Sequence, residues 1–191
     1  MPDSPTSKSP LRPAVFLDRD GTINHDRGYV FRFEDFEFIS GVPEALLRLH
    51  RAGFALVVIT NQSGIIRGLY SEQDVKTLHE KVDAFLLESL GFRLDGWRYC
   101  SHHPDFAPCT CRKPSPNLLK QAARDLNLDL KNSFMVGDKT LDVLAGINAG
   151  VKASILVKTG YGQADQFQVP AGTIVAEDLP KAAEFIIKNY G

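Results

Sequence analysis

The chain has 191 residues, a formal net charge of −1 and 43% hydrophobic residues, values typical of one soluble globular domain. The near-neutral charge argues against nucleic-acid binding, and no run of about 18 apolar residues predicts a membrane span. Residues 1–13 are rich in Ser and Pro and lack the apolar core of a signal peptide, so we predict a disordered tail on a cytoplasmic protein.

Apolar runs and helical patterns alternate along the rest of the chain. Strands are predicted at residues 15–17, 54–59, 96–100, 133–137, 153–157 and 173–175, and helices at 43–51, 71–90, 114–127, 140–149 and 179–189. This alternation predicts an α/β fold with a doubly wound parallel sheet. Residues 23–40 show no helical period and are predicted to form a flap over the end of the first strand.

We expect residues 14–191 to form a single domain without a cap, because neither long insertion is large enough to fold alone. No long apolar surface stripe is left over, so we also expect a monomer.

Two carboxylates follow the first strand at once. Asp18 and Asp20 come directly after the apolar run Val15–Leu17, and side chains two residues apart in extended chain share a face. Open α/β sheets place their chemistry at this edge. The pair therefore predicts a site that recruits a hard cation, although an isolated Asp-x-Asp is more often an acidic surface turn.

Three later segments are also predicted to lie at strand ends: Thr60-Asn61-Gln62-Ser63, Arg112-Lys113-Pro114, and Gly137-Asp138-Lys139 with Asp142. Taken singly, Thr60 is explained as a turn cap, Lys113 as a surface charge and Asp138 as a helix N-cap. Together the segments supply the acids, hydroxyl and lysine that phosphoryl transfer needs. Mg²⁺ prefers such oxygen ligands.

A second cluster of side chains consists of Cys100, His102, Cys109 and Cys111. Three thiolates and an imidazole within a short segment match a tetrahedral Zn²⁺ site, and an odd number of cysteines disfavours a disulfide framework. Free buried cysteines are the alternative. His103 competes with His102 as the fourth ligand. We predict that the zinc is structural and fixes the approach to Arg112 and Lys113.

The motifs Asp-x-Asp-x-Thr, a strand-end Thr, a Lys and Gly-Asp-x-x-x-Asp resemble the signature of the haloacid dehalogenase superfamily of phosphatases. The resemblance covers the chain from Pro13 onward. It implies that Asp18 is the nucleophile that becomes an aspartyl phosphate, and that Asp20 is the general acid and then the general base.

The same resemblance assigns the remaining groups. Thr60 and Lys113 would hold the phosphoryl oxygens, and Mg²⁺ would be bound by Asp18, the backbone carbonyl of Asp20 and Asp138. Asp142 would orient these ligands, and Lys139 would contact the metal-bound phosphate.

The phosphatase motifs and the zinc loop together resemble the D-glycero-D-manno-heptose 1,7-bisphosphate 7-phosphatases. The shared phrases are Phe-Leu-Asp-Arg-Asp-Gly-Thr-Ile-Asn, Thr-Asn-Gln-Ser-Gly-Ile, Cys-x-His-His-Pro, Cys-x-Cys-Arg-Lys-Pro and Met-Val-Gly-Asp-Lys. The resemblance implies a phosphorylated sugar substrate and a place in ADP- or GDP-heptose synthesis for lipopolysaccharide core or related glycans. The implied substrate-binding residues are Arg19, Asp26, Arg27, Gly28, Tyr29, Asn61, Gln62, Ser63, Arg112 and Lys139.

Three other functions stay open at this point. The preference between the α and β anomers of the sugar is also open. Histidinol-phosphate phosphatases share the catalytic motifs and the zinc loop. A nucleic-acid 3′-phosphatase is weaker, because it would need a basic groove. A zinc-stabilised binding module without catalysis does not explain why Asp18, Asp20, Lys113 and Asp138 are all present.

Overall fold

Six parallel strands form one sheet in the computed structural model, which describes residues 10–191. The strands are β1 (Ala14–Leu17), β2 (Ala55–Asn61), β3 (Gly96–Cys100), β4 (Phe134–Gly137), β5 (Ala153–Val157) and β6 (Ile174–Ala176). Their order across the sheet is β3-β2-β1-β4-β5-β6, with every neighbouring pair parallel. The predicted doubly wound parallel sheet is therefore confirmed, and its direction of winding reverses between β1 and β4.

The helices are α1 (Val42–Arg51), α2 (Glu72–Leu90), α3 (Asn117–Asp125), α4 (Thr140–Ala149), α5 (Gly162–Asp165) and α6 (Leu179–Tyr190). Alternate strand residues face opposite sides of the sheet. Val15 and Leu17 of β1 join a core with α1, α2 and α6, whereas Ala14 and Phe16 join a second core with α3 and α4. Both faces of the sheet are thus covered by helices, which is why the central strands β1 and β4 are apolar and buried along their whole length.

Several predicted boundaries were wrong. Helix α3 begins at Asn117 rather than at Pro114, because Pro116 disfavours the helical conformation of the residue before it. Strand β2 continues to Asn61, since Thr60 and Asn61 pair with β3. Three short elements were missed: helix α5 and the 3₁₀ turns at Phe33–Asp35 and Leu130–Asn132. Each has only three or four residues, too few to show a helical repeat of apolar residues.

The predicted tail was too long at its C-terminal end. Arg12 forms an isolated parallel bridge with Leu128, and its guanidinium lies 2.6 Å from Asp95 Oδ1 and donates to the Phe54 carbonyl. Residues 10–13 are therefore not a tail, because these contacts attach Arg12 to the folded domain. The rest of the predicted tail, residues 1–9, lies outside the described residues.

The predicted flap, residues 23–40, lies beside the carboxyl end of β1. Asn24 forms a parallel bridge with Asp20 and an antiparallel bridge with Phe38. The Arg19 guanidinium donates to the Val30 carbonyl at 2.5 Å. No part of residues 10–191 forms a separate cap, and no helix within them has the length and apolar character to cross a membrane.

Two adjacent leucines of α2 provide a test of the core. Leu86 is fully buried, whereas Leu87 is 42% exposed. Leu86→Ala should lower the free energy of unfolding by about 2–5 kcal/mol, because it leaves a cavity under the sheet. Leu87→Ala should cost less than about 1 kcal/mol. Urea unfolding of both variants measures the difference, and equal losses would contradict the packing described for α2.

Candidate active site

A cavity of about 340 Å³ opens at the carboxyl edge of the sheet, above β1 and β2. Asp18 and Asp20 line it, as do Thr60 and Lys113. The Asp18 amide donates to the Val136 carbonyl of β4 at 2.9 Å, which fixes the chain at the point where the sheet's winding reverses. The structure therefore brings together the four residues predicted to be catalytic.

Lys113 lies at the base of the cavity and is 3% exposed. Its Nζ is 2.6 Å from Asp18 Oδ1 and 2.6 Å from Asp142 Oδ1, and it donates to the Ile59 carbonyl. Burial lowers the pKa of Lys113, but the Asp142 and Asp18 carboxylates outweigh burial and raise it above the ordinary value. Lys113 is therefore a fixed positive charge beside the predicted nucleophile.

Asp138 is fully buried at the end of β4. Its Oδ2 accepts a hydrogen bond from the Tyr161 amide at 2.9 Å, whereas Oδ1 has no hydrogen-bond partner. Burial, followed by the Asp18 charge, raises the pKa of Asp138 to about 8. Lys139 Nζ lies 4.0 Å from Oδ1, too far for a hydrogen bond. A buried carboxylate oxygen without a hydrogen bond is costly, so this oxygen is suited to a cation.

Oxygens of Asp18, Asp138 and Asp142 all lie within 4.8 Å of one another. Carboxylate oxygens at this spacing are the donor set that Mg²⁺ favours. Asp142 differs from Asp138 because both its oxygens have protein partners: Oδ1 contacts Lys113 Nζ, and Oδ2 accepts from the Lys139 amide at 3.0 Å. The residues present thus fit a magnesium ion, and the contacts of Asp142 suit the predicted orienting role.

The segment after β2 is held against the lysine loop. Asn61 Oδ1 accepts a hydrogen bond from the Lys113 backbone N–H at 3.1 Å. The backbone N–H of Gln62 donates to the Cys100 carbonyl at the end of β3 at 2.7 Å. Thr60, Asn61, Gln62 and Ser63 all line the cavity, as predicted from sequence.

Two of the predicted substrate-binding residues do not line the cavity. Arg19 is fully buried behind it, where its guanidinium contacts the Asp20 carboxylate at 2.9 Å. Arg27 points to the surface and forms an ion pair with Glu37. The other predicted members of this set line the cavity: Asp26, Gly28, Tyr29, Asn61, Gln62, Ser63, Arg112 and Lys139.

Burial raises the pKa of Asp20, but Arg19 and the hydrogen bonds from Asn24 and Gln62 outweigh it and hold the pKa below its usual value. Arg19 therefore acts on Asp20 and not on the space where a ligand would bind.

Sequence reasoning missed three cavity-lining residues: Tyr70, Leu141 and Tyr161. The Tyr161 ring lies 4.4 Å from Lys139 Nζ, in a cation–π contact. One signal for Tyr161 was available, because the Gly160-Tyr161-Gly162 segment follows β5 and so lies at the same edge of the sheet. Tyr70 and Leu141 carried no such signal.

The predicted zinc ligands Cys100, His102, Cys109 and Cys111 form one cluster, with ligand atoms within 4.8 Å of one another. Cys100 Sγ is 3.7 Å from Cys109 Sγ, and His102 Nδ1 is 3.4 Å from Cys111 Sγ. His103 points away and contacts Arg67 at 3.2 Å. Thiolate and imidazole donors in this arrangement fit Zn²⁺.

The cysteine cluster is connected directly to the cavity. Arg112 follows Cys111, lines the cavity and donates to the His102 carbonyl at 3.0 Å. Lys113 comes next in the chain. The predicted role of the cluster, to fix the approach to Arg112 and Lys113, is compatible with these positions.

The chain is similar to known proteins over most of its length. A family model described as HAD-hyrolase-like matches residues 110–182. A D-glycero-beta-D-manno-heptose-1,7-bisphosphate 7-phosphatase from Photorhabdus laumondii is 46% identical over 184 residues, covering 92% of this chain and 97% of that protein. The protein of the same name from Haemophilus ducreyi is 51% identical over 154 residues, covering 78% of this chain and 85% of that protein.

Among solved structures, a D,D-heptose 1,7-bisphosphate phosphatase from B. bronchiseptica, complexed with magnesium and phosphate, superimposes with a TM-score of 0.85. It is 36% identical, and the match covers 92% of this chain and 98% of that one. The fold and the acid cluster define a HAD-like phosphatase, a phosphoric monoester hydrolase. The chain belongs to the D-glycero-beta-D-manno-heptose-1,7-bisphosphate 7-phosphatase family.

Gly160 provides a test of the acid cluster. A Cβ there would lie 2.2 Å from Asp138 Oδ2, and the backbone φ is +56°. Gly160→Ala should displace Asp138 and lower kcat/KM for phosphate release by about 100-fold, the cost of misplacing a reacting group by an ångström.

The matched control is Gly172→Ala, where φ is +87° but no atom lies within 4 Å of the added Cβ. This variant bears similar backbone strain without the contact to Asp138, so its activity should be normal. Steady-state kinetics at saturating Mg²⁺ compare the two. Equal activities would show that Asp138 does not need its present position.

Proposed function

We propose that this protein removes the 7-phosphate of D-glycero-beta-D-manno-heptose 1,7-bisphosphate in an Mg²⁺-dependent reaction through an aspartyl phosphate on Asp18. The observation that carries the proposal is the cluster of Asp18, Asp138 and Asp142, in which Asp18 and Asp142 contact the buried Lys113 ammonium at the base of the cavity. The relatives' names support the sugar and its β anomer.

In the first step an Asp18 oxygen attacks phosphorus, and the bond from phosphorus to the sugar oxygen breaks. Asp20 gives its proton to that oxygen as it leaves. In the second step Asp20 takes a proton from water, the water oxygen bonds to phosphorus, and the bond to Asp18 breaks to release phosphate. Asp20 starts and ends the cycle in the same protonation state.

Lys113 and Thr60 would hold the phosphoryl oxygens during both steps, because charge on these oxygens must be neutralised without reorganisation of the site. Asp18, the Asp20 backbone carbonyl and Asp138 would hold the magnesium ion, which when bound supplies charge neutralisation to the phosphoryl group.

The far end of the substrate carries a second phosphate. Arg112 lines the cavity and offers positive charge for it, and a guanidinium suits planar, bidentate contact with a phosphate. Lys139 lies 4.0 Å from Asp138 Oδ1 and would contact the metal-bound phosphate instead. Asp26, Gly28 and Tyr29 lie on the flap side of the cavity and would contact the sugar. By the family resemblance, the heptose 1-phosphate product would enter ADP- or GDP-heptose synthesis for lipopolysaccharide core or related glycans.

We infer that the enzyme works in the cytoplasm, since its three cysteines are free thiols gathered in one cluster and such thiols suit a reducing compartment. A monomer stays our prediction for the state of assembly.

The proposal is tested by phosphate release with Mg²⁺ from the two anomers of heptose 1,7-bisphosphate and from histidinol phosphate. We expect the β anomer to be preferred over histidinol phosphate by about 1,000-fold or more in kcat/KM, because unpaired polar groups in a fitted site cost that much discrimination. Asp18→Asn is the inactive control.

Preference for the α anomer would refute the anomer assignment alone. Preference for histidinol phosphate, an alternative that these comparisons do not support, would refute the sugar substrate while leaving the Asp18 mechanism in place.

The adjacent histidines test the zinc site. His102→Ala should lose zinc and raise KM about tenfold, because Arg112 would no longer be held against the His102 carbonyl segment. His103→Ala should keep both zinc and KM, since His103 lies outside the cluster. Zinc content by mass spectrometry and KM at fixed Mg²⁺ give the answer; full zinc in the His102 variant would contradict the ligand set.

A further inference from the structure

Tyr70 lies just before α2 and is 7% exposed. Its hydroxyl donates to Gln62 Oε1 at 2.6 Å. The ring has no room to move towards the loop after β2, because a Cβ on Gly64 would lie 2.2 Å from the Tyr70 ring. On the other side Phe31 of the flap stacks on it, with centroids 5.1 Å apart and planes 20° apart.

Gln62 connects this tyrosine to the catalytic carboxylate. The Gln62 Nε2 group donates to Asp20 Oδ2 at 3.0 Å and to Thr60 Oγ1 at 2.9 Å. In the ionised form, which takes the proton from water in the second step, the Asp20 carboxylate only accepts hydrogen bonds, so the amide nitrogen must face it. Oε1 must then face the opposite side, where the Tyr70 hydroxyl donates to it.

The Tyr70 hydroxyl makes the shorter of the two contacts that hold Gln62 Oε1. The other donor near Gln62 Oε1, Arg19 Nη2, is at 3.4 Å, a weak contact by distance. Gln62 is 2% exposed, and a buried amide oxygen that loses its partner is destabilised. Without the hydroxyl, the amide would keep only the weak contact on this side and would hold Asp20 less firmly.

Asp20 is held on its other side as well. Asn24 Nδ2 donates to Asp20 Oδ1 at 3.0 Å, and Arg19 Nε lies 3.1 Å from Oδ2. Arg19 and Asn24 do not line the cavity, whereas Asp20 and Gln62 do, so these two donors hold the carboxylate from behind. Proton transfer requires a hydrogen-bond distance to the leaving oxygen.

We propose that Tyr70 is a positioning residue for proton transfer by Asp20, acting through the Gln62 amide. The inference rests on the proposed role of Asp20 as general acid and base. Phe31 and Gly64 take part only by fixing the tyrosine ring.

The test is Tyr70→Phe assayed on two substrates. D-glycero-beta-D-manno-heptose 1,7-bisphosphate has an alkoxide leaving group that needs a proton, whereas p-nitrophenyl phosphate has a stable phenolate that does not. Loss of the hydroxyl should lower kcat/KM about tenfold for the sugar substrate, a part of the 100- to 10,000-fold that general acid–base catalysis contributes. It should change kcat/KM by less than about twofold for p-nitrophenyl phosphate.

Tyr99→Phe is the matched control, since the Tyr99 hydroxyl on β3 donates to Glu72 away from the cavity. It should leave both substrates unchanged. In a Gln62→Ala background, Tyr70→Phe should have no further effect, because residues that act in series are not additive.

Three results would overturn the inference. Equal losses on both substrates would indicate a purely structural role, and a raised KM with unchanged kcat would indicate direct substrate binding. Full additivity with Gln62→Ala would exclude action through the amide. Asp20→Asn tests the proposed role of Asp20 separately from that of Tyr70. If Asp20→Asn loses kcat/KM equally on both substrates, the proposed role of Asp20 fails and the Tyr70 inference fails with it.

Discussion

The buried ammonium of Lys113 is the interaction on which the rest of the site depends. Three carboxylates converge in a space largely closed to water, and Lys113 contacts two of them, Asp18 and Asp142, at 2.6 Å each. Removal of one member of such a buried pair leaves an uncompensated charge and costs about 3–5 kcal/mol. The lysine does not reach Asp138, whose pKa is raised to about 8 by burial and by the Asp18 charge. Lys139 Nζ lies 4.0 Å from Asp138 Oδ1, so two ammonium groups face three carboxylates. A bound divalent cation can therefore stabilise the cluster.

The order of the strands brings these charged groups to one edge of the sheet. The strands β1, β2 and β4 are parallel neighbours, so Asp18, Thr60 and Asp138 come to the same edge although they are far apart in sequence. The fourth group, Lys113, follows no strand directly. Its loop is held by Asn61 on one side and follows the cysteine cluster on the other, so the proposed zinc site is adjacent in the chain to the lysine that it would help to position.

Sequence patterns predicted the strand-end groups well, because parallel strands necessarily align their carboxyl ends. They failed where a side chain's direction depends on partners distant in sequence. Arg19, placed between two aspartates, was expected to bind substrate, but it is buried by its contacts with Asp20 and the Val30 carbonyl. Arg27 is turned outward by Glu37. Tyr70 lies in an irregular segment, where no period could reveal that its hydroxyl reaches Gln62. The choice between His102 and His103 likewise needed the path of the chain after β3.

The most direct test of the central claim is a crystal structure of the protein with Mg²⁺ and beryllium fluoride, a mimic of the phosphoryl group. We expect beryllium bonded to an Asp18 oxygen, with Mg²⁺ held by Asp18, Asp138 and the Asp20 carbonyl, and Asp142 still on Lys113. Beryllium bonded to Asp20 or Asp142, or Mg²⁺ bound away from Asp138, would contradict the assignment of Asp18 as the nucleophile of a magnesium-dependent phosphatase.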